Sequence, residues 1–170
     1  MNIVRATLAD VRAIAEIQVD AWRAAYARIL PAGSLSTLSV EQREARWRAA
    51  VESGQPELLV AKAGSTVLGW VAFGACRDPD AKPFQAEVWA IYIAPVNWSS
   101  GIGRRLWQQT RDILSARGYS TCSLWVLPEN ERAIGLYRAA GFVADDVPAR
   151  QFELGGRLLQ EVRYVCRIDL

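Results

Sequence analysis

The run Ser99-Ser100-Gly101-Ile102-Gly103-Arg104 lies between an apolar strand pattern and an amphipathic helical one. A short loop of this kind presents successive backbone N–H groups. The helix start behind it adds roughly half a positive charge, and together they make a cradle for phosphate oxygens. Gly101 and Gly103 would let the main chain approach such a ligand, although glycine also serves any plain strand-to-helix turn. A Walker A loop needs Gly-Lys followed by Ser or Thr, which is absent, and a dinucleotide fingerprint needs a third glycine where Leu106 stands. Arg104 and Arg105 put two cations in the first helical turn, against the helix dipole, which favours an anion in front of them unless they simply point into water.

A second run, Asn130 to Phe142, places Ala133, Leu136, Tyr137 and Ala140 on one helical face. Tyr137 there is either a hydrogen-bond donor aimed at a site or an ordinary half-buried aromatic, and Asn130 is at least a helix cap. The chain has no histidine, which removes Ser-His and Cys-His nucleophile pairs and most zinc sites. No metal site is expected. What remains for chemistry is carboxylate, tyrosine and backbone. Cys76, Cys122 and Cys166 are far apart and set in apolar runs, so they read as small core residues.

The elements that must position these groups follow from periodicity. Asn2 to Ala6 reads as a strand, and Thr7 to Asp10 as a capping box opening a helix to about Tyr26, with Val11, Ile14, Ala15, Ile17 and Trp22 inward. Pro31 and Gly33 break the pattern. Ser39 to Gln42 opens a second helix to about Val51, before Gly54 and Pro56. Strands follow at Leu58 to Ala63 and Val67 to Ala75, as a hairpin, and at Glu87 to Ala94. In the last of these, Val88, Ala90 and Tyr92 alternate with Trp89, Ile91 and Ile93, so both faces are apolar and the strand should be central. Gly101 to about Arg117 is a helix, Ser120 to Leu127 a strand, and Glu129 or Asn130 to about Ala140 a helix. Phe142 to Leu154 and Leu158 to Ile168 read as a hairpin around Gly155-Gly156. The strand-helix-strand unit from Glu87 to Leu127 requires two parallel strands, while the hairpins require antiparallel ones. The simplest architecture is an α/β fold with a mixed sheet and helices on both faces. With 170 residues, one domain over 1–170 is expected.

Taken together, the two motifs resemble those of the GCN5-related N-acetyltransferase (GNAT) superfamily, closely so from Glu87 to Phe142. Its pyrophosphate loop reads Gln/Arg-x-x-Gly-x-Gly/Ala; here it is Trp98-Ser99-Ser100-Gly101-Ile102-Gly103, with Trp98 where Gln or Arg is usual. Its later motif, Asn-x-x-Ala-x-x-x-Tyr-x-x-x-Gly-Phe, is matched at Asn130, Ala133, Tyr137, Gly141 and Phe142. The resemblance implies a mostly antiparallel sheet splayed between two parallel strands. Acetyl-CoA would be the co-substrate: its pantetheine arm lies along Ile91 to Ile93, its amide portion meets Asn130 near Ala133, and its pyrophosphate meets Ser99 to Arg104. It also implies acetyl transfer to a primary amine of a small molecule or peptide, with Glu87 taking the amine's proton, directly or through water, and Tyr137 donating to the leaving sulfur. Read as residues alone, Glu87 is otherwise a surface or ion-paired carboxylate at a strand start.

A rival of another class is a non-catalytic acyl-CoA-binding or regulatory module of the same fold, since fold and motif alone do not establish activity. Nucleic acid is not an expected partner: 20 basic residues nearly balance 18 acidic ones, and no aromatics interleave Arg104, Arg105 and Arg111. No membrane span or signal segment is read near Met1, so a cytoplasmic protein is expected. Trp22, Tyr26, Trp47 and Trp89 are candidates for an acceptor pocket or for core. An exposed C-terminal strand would offer an edge for a homodimer.

Overall fold

The structure is a computed structural model and describes residues 1–154 and 156–168. Its elements are β1 (Asn2–Arg5), α1 (Val11–Tyr26), α2 (Ala32–Ser36), α3 (Val40–Ser53), β2 (Glu57–Ala63), β3 (Thr66–Ala75), β4 (Gln85–Ile93), α4 (Ile102–Ala116), β5 (Thr121–Val126), α5 (Glu131–Ala139), β6 (Val143–Ala144), β7 (Arg150–Leu154) and β8 (Arg157–Arg167), with single 3₁₀ turns at Leu8–Asp10 and Pro95–Asn97. The strands form one mixed sheet in the order β1-β2-β3-β4-β5-β8-β6, with β7 paired to β8 off that path. Among the described residues only β4 and β5 run parallel, and every other pair is antiparallel.

Helices cover both faces. Leu106, Trp107 and Leu114 of α4 and Ile134 of α5 pack with Val71, Phe73, Val88 and Leu124 on one side. Val11, Ile14 and Ile17 of α1 and Trp47 of α3 pack with Val60 and Trp70 on the other. A third cluster joins Val19 and Tyr26 of α1 to Leu35, Leu127 and Leu159, which ties the end of α1 to the β7–β8 hairpin.

Local chemistry explains several boundaries. Ser39 accepts from the Gln42 N–H at 3.1 Å and starts α3, and Gly54 ends it in the left-handed region at φ 71°. Asp10 accepts from both the N–H and the hydroxyl of Thr7 and donates its own N–H to the Thr7 carbonyl at 3.0 Å, which launches the turn before α1.

Four expectations change. Pro31 and Gly33 do lie beyond the end of α1, but a further short helix, α2, was not expected there: Pro31 stands at its N-cap, where its missing N–H costs no hydrogen bond. The span Phe142 to Leu154 is not one strand but two, β6 and β7, separated by the bend from Asp145 to Ala149, and both lie along β8. Gly155, at the turn of the expected hairpin, falls outside the described residues. The C-terminal strand β8 is not an edge, because β5 holds one side and β6 and β7 the other, so the edge argument for a homodimer loses its premise.

The fourth change concerns β4. Its pairing with β3 goes from Ala72↔Ala90 to Phe73↔Val88, so Trp89 is an extra, bulged residue. The bulge shifts the alternation: Val88, Ile91 and Ile93 join the α4 side, and Trp89, Ala90 and Tyr92 the α1 side. Both faces are apolar as expected, but with a different division of residues.

Candidate active site

Parallel pairing between β4 and β5 is confined to Gln85↔Thr121, Ala86↔Cys122 and Glu87↔Ser123. Beyond Glu87 the strands part, and the edge of β4 from Val88 to Ile93 has no strand partner on that side among the described residues. The gap belongs to a cavity of about 600 Å³ that runs from the start of α4, past Ile93, Asn130 and Tyr137, to Trp22, Trp125, Arg150 and Glu161.

At one end, the helix α4 begins at Gly101, which adopts φ 83° with no side-chain cap. The amides of Ile102, Gly103 and Arg104 have no carbonyl within the helix to bind, which is the condition for holding an anion. The two glycines serve different purposes. A Cβ on Gly101 would meet nothing, so its role is conformational, whereas a Cβ on Gly103 would come within 2.8 Å of Leu136, so its role is close packing of α4 on α5. Ser99 also takes a positive φ, 63°, and the Ser100 hydroxyl donates to the Asn97 carbonyl. Arg104 lines the cavity; Arg105 instead reaches the Met1 carbonyl at 3.4 Å, outside it.

Trp98, where the family motif has Gln or Arg, donates its indole N–H to the Ile93 carbonyl at 2.9 Å. Arg132 of α5 stacks on the Trp98 ring at 4.4 Å and reaches Ser99 Oγ at 3.4 Å. A guanidinium thus stands at the loop although the motif position is aromatic. Arg132 was not singled out from sequence; as the third residue of the Asn130 motif, only its charge could have drawn attention.

Asn130 is a cap and a bridge. Its Oδ1 accepts from the Ala133 N–H at 3.2 Å and its Nδ2 donates to the Tyr26 hydroxyl at 3.0 Å, linking α5 to α1. Tyr137 is half-buried on the cavity wall, and its hydroxyl has no hydrogen-bond partner among the described residues. Burial pushes that hydroxyl above the ordinary tyrosine range, and the nearby Tyr92 and Glu161 add to the shift. It is therefore a donor, not an anion, at neutral pH.

Glu87 lines the cavity and is 1% exposed. Arg77 encloses it: the Arg77 N–H and Nε donate to Oε2 at 3.0 Å each, and Nη2 donates to Oε1 at 2.5 Å. The Arg77 guanidinium in turn stacks on Trp89 at 3.9 Å.

The far end is aromatic. Trp22 donates to the Tyr92 hydroxyl at 2.6 Å and meets Tyr26 edge-on at 4.8 Å. Burial pushes both tyrosine hydroxyls up. Trp125 donates to Asp78 at 3.0 Å, and Asp78 is held with Asp80 and Asp145 around the buried Arg163. Of the four aromatics considered from sequence, Trp22, Tyr26 and Trp89 line the cavity, while Trp47 is core, bonded to Gln18 at 2.7 Å. Tyr92, Trp125, Arg150 and Glu161 were missed, because nothing local distinguishes them. Among the described residues no group of three or more Asp, Glu or Cys is placed to hold a metal, and no helix is long and apolar enough to cross a membrane.

Known proteins share this fold. Residues 13–142 match the acetyltransferase (GNAT) family. The chain is 29% identical over 163 residues to the uncharacterized N-acetyltransferase YuaI of Bacillus subtilis, covering 95% of this chain and 90% of that one. It is 34% identical over 96 residues to the N-alpha-acetyltransferase RimI of Mycobacterium tuberculosis, covering 56% and 58%. The PaiA N-acetyltransferase of Thermoplasma acidophilum, solved in complex with coenzyme A, superposes with a TM-score of 0.77 at 18% identity, over 98% of this chain and 99% of that one. The chain belongs to the acetyltransferase (GNAT) family of acyltransferases.

Proposed function

We propose that this protein transfers an acetyl group directly from acetyl-CoA to the primary amine of a small molecule or peptide. The observation that carries the reading is the gap between β4 and β5, which opens at Glu87 and Ser123 with a helix N-terminus at one end and, on its wall, the Tyr137 hydroxyl, which has no partner among the described residues. The pyrophosphate takes the free amides from Ile102 to Arg104, with Ser99, Ser100 and the cations Arg104 and Arg132 beside it. Trp98 supports the loop through Ile93 and supplies the face on which Arg132 rests. The pantetheine arm pairs with the open edge of β4 along Ile91 to Ile93, as an added strand would. Ala133 and Asn130 bound that channel, and the Tyr26–Asn130 link keeps its wall in place.

An alkylamine resembles lysine, with an ordinary pKa of about 10, and must lose a proton before its nitrogen can attack the thioester carbon. Glu87 is the group nearest to that task. Its carboxylate is buried and holds three hydrogen bonds from Arg77, which favours a relay through water over direct abstraction. When the tetrahedral adduct collapses, the C–N bond stays and the C–S bond breaks. The departing thiolate, with an ordinary pKa of about 8.5, is stabilised by the Tyr137 hydroxyl and is then protonated.

The test has two arms. Titration calorimetry with coenzyme A and acetyl-CoA should give saturable binding, and incubation of acetyl-CoA with an amine panel should release thiol in step with acetylated product. No association with either form of the coenzyme overturns the reading. Binding without thiol release on any amine leaves instead a module that binds acyl-CoA and does not transfer.

A further inference from the structure

On the reading that acetyl-CoA occupies the α4 end of the cavity, the other end receives the amine. We infer that this end is built for a zwitterionic acceptor, a free α-amino acid with an apolar side chain, with its carboxylate on Arg150 and its amino group beside Glu161.

Arg150 of β7 and Glu161 of β8 are register partners, and both line the cavity. Their ion pair joins Arg150 Nε to Glu161 Oε2 at 2.7 Å. That contact uses one nitrogen of the guanidinium and one oxygen of the carboxylate. The two terminal nitrogens of Arg150 and Oε1 of Glu161 have no partner among the described residues. The guanidinium lies over the Trp125 ring at 4.5 Å, which limits its motion. A planar fork with two free donors suits a carboxylate, which it can bind through two parallel hydrogen bonds.

The pair is also ordered in depth. The Glu161 side chain is 19% exposed and that of Arg150 43%. Glu161 lines the same cavity as Tyr26, Tyr92 and Tyr137, and its charge adds to the upward shift of all three hydroxyls. An ammonium beside Glu161 would be near the thioester, with a carboxylate directed outward to Arg150. Trp22, Trp89, Trp125 and Ala25 supply the surface for an apolar side chain.

Charge distribution separates this acceptor from two others. The second carboxylate of this end, Glu87, is taken up by Arg77. The further ammonium of a polyamine would therefore find Glu87 already paired and would meet the Arg150 guanidinium. A peptide N-terminus carries an amide where an amino acid carries a charge, and leaves the two terminal nitrogens of Arg150 without a carboxylate to bind.

The test measures binding apart from turnover. Quenching of tryptophan fluorescence is titrated with L-alanine, L-leucine and L-phenylalanine, each beside its carboxamide and its decarboxylated amine, with and without saturating coenzyme A. At least one amino acid should bind ten-fold or more tightly than its amide and its amine. Arg150→Gln should erase that preference, and Arg150→Lys, which keeps the charge without the fork, should restore part of it. An amide or amine that binds as well as its acid, a preference that survives in Arg150→Gln, or no binding by any of the three acids overturns the inference. Thiol release with some other amine would then leave the transfer reading standing, whereas absence of coenzyme A binding would sink that reading whichever way the acceptors rank.

Discussion

At the α4 end of the cavity the ligand-facing groups are mostly backbone amides between Ser99 and Arg104. At the Arg150 end they are side chains, most of them held by a partner from another element. Arg77 holds Glu87, Trp22 bonds Tyr92, Asp78 braces Trp125 and Arg150 pairs with Glu161. A main-chain cradle depends on a turn and a helix start, and changes of surface residue leave it in place. A site made of paired side chains can be altered one pair at a time. The first construction suits a coenzyme shared across a family, the second an acceptor that differs between its members.

The largest way to test that division is Arg163→Met. The Arg163 side chain, 7% exposed, faces Asp78, itself 7% exposed, along with Asp80 and Asp145. Removing it leaves Asp78 buried beside uncompensated charge and should cost about 3–5 kcal/mol in urea denaturation. The loss should carry a pH signature. The Arg163 hydrogen bond holds the Asp80 carboxyl below its usual range, so its contribution is present above the ordinary aspartate pKa of about 3.9 and is lost as pH falls through the lower folded value. The gap between native and variant stability should therefore narrow in acid. Coenzyme A affinity of the folded variant should stay within two-fold while the acceptor KM rises. An equal loss at both ends would show that they are not separable.

Tyr137→Phe acts where the two ends meet. It should lower kcat by about 10²-fold with little change in the KM for acetyl-CoA, because the hydroxyl acts on charge that develops only as sulfur leaves. Unchanged turnover removes Tyr137 from the mechanism. Burial raises its pKa, so the native rate should show no loss from tyrosine ionisation as pH passes about 10, the ordinary value.

The smallest effect is expected from Arg132→Met, which removes a cation stacked on Trp98 at the loop. Coenzyme A affinity should fall about three- to ten-fold, and less in high salt, with acceptor KM unchanged. No change in affinity would mean that the backbone amides carry the phosphates without help from this side chain.

The α4 end was legible because its signals are local. Gly101, the polar run before it and the cap at Asn130 declare a turn and two helix starts within a few residues. Even so, what Gly103 is for became clear only when Leu136 of the neighbouring helix was seen against it. The bulge at Trp89 was hidden because an inserted residue in a strand apolar on both faces leaves the apolar pattern unbroken. The division of Phe142 to Leu154 into two strands was hidden as well: each piece pairs with a different stretch of β8, and pairing is not written in either segment alone.

The strand-helix-strand unit with its parallel pair, the helix start at Gly101 and the lack of histidine were all determined by the amino-acid sequence itself. Each follows from periodicity, composition or groups a few residues apart. Tertiary structure alone decided that Glu87 is enclosed by Arg77, that Arg132 stands at the loop, and that Tyr26 meets Asn130 across 104 positions of chain. Ion pairs and hydrogen bonds form between whatever groups folding brings within about 3 Å, and no residue type announces which distant partner it will meet.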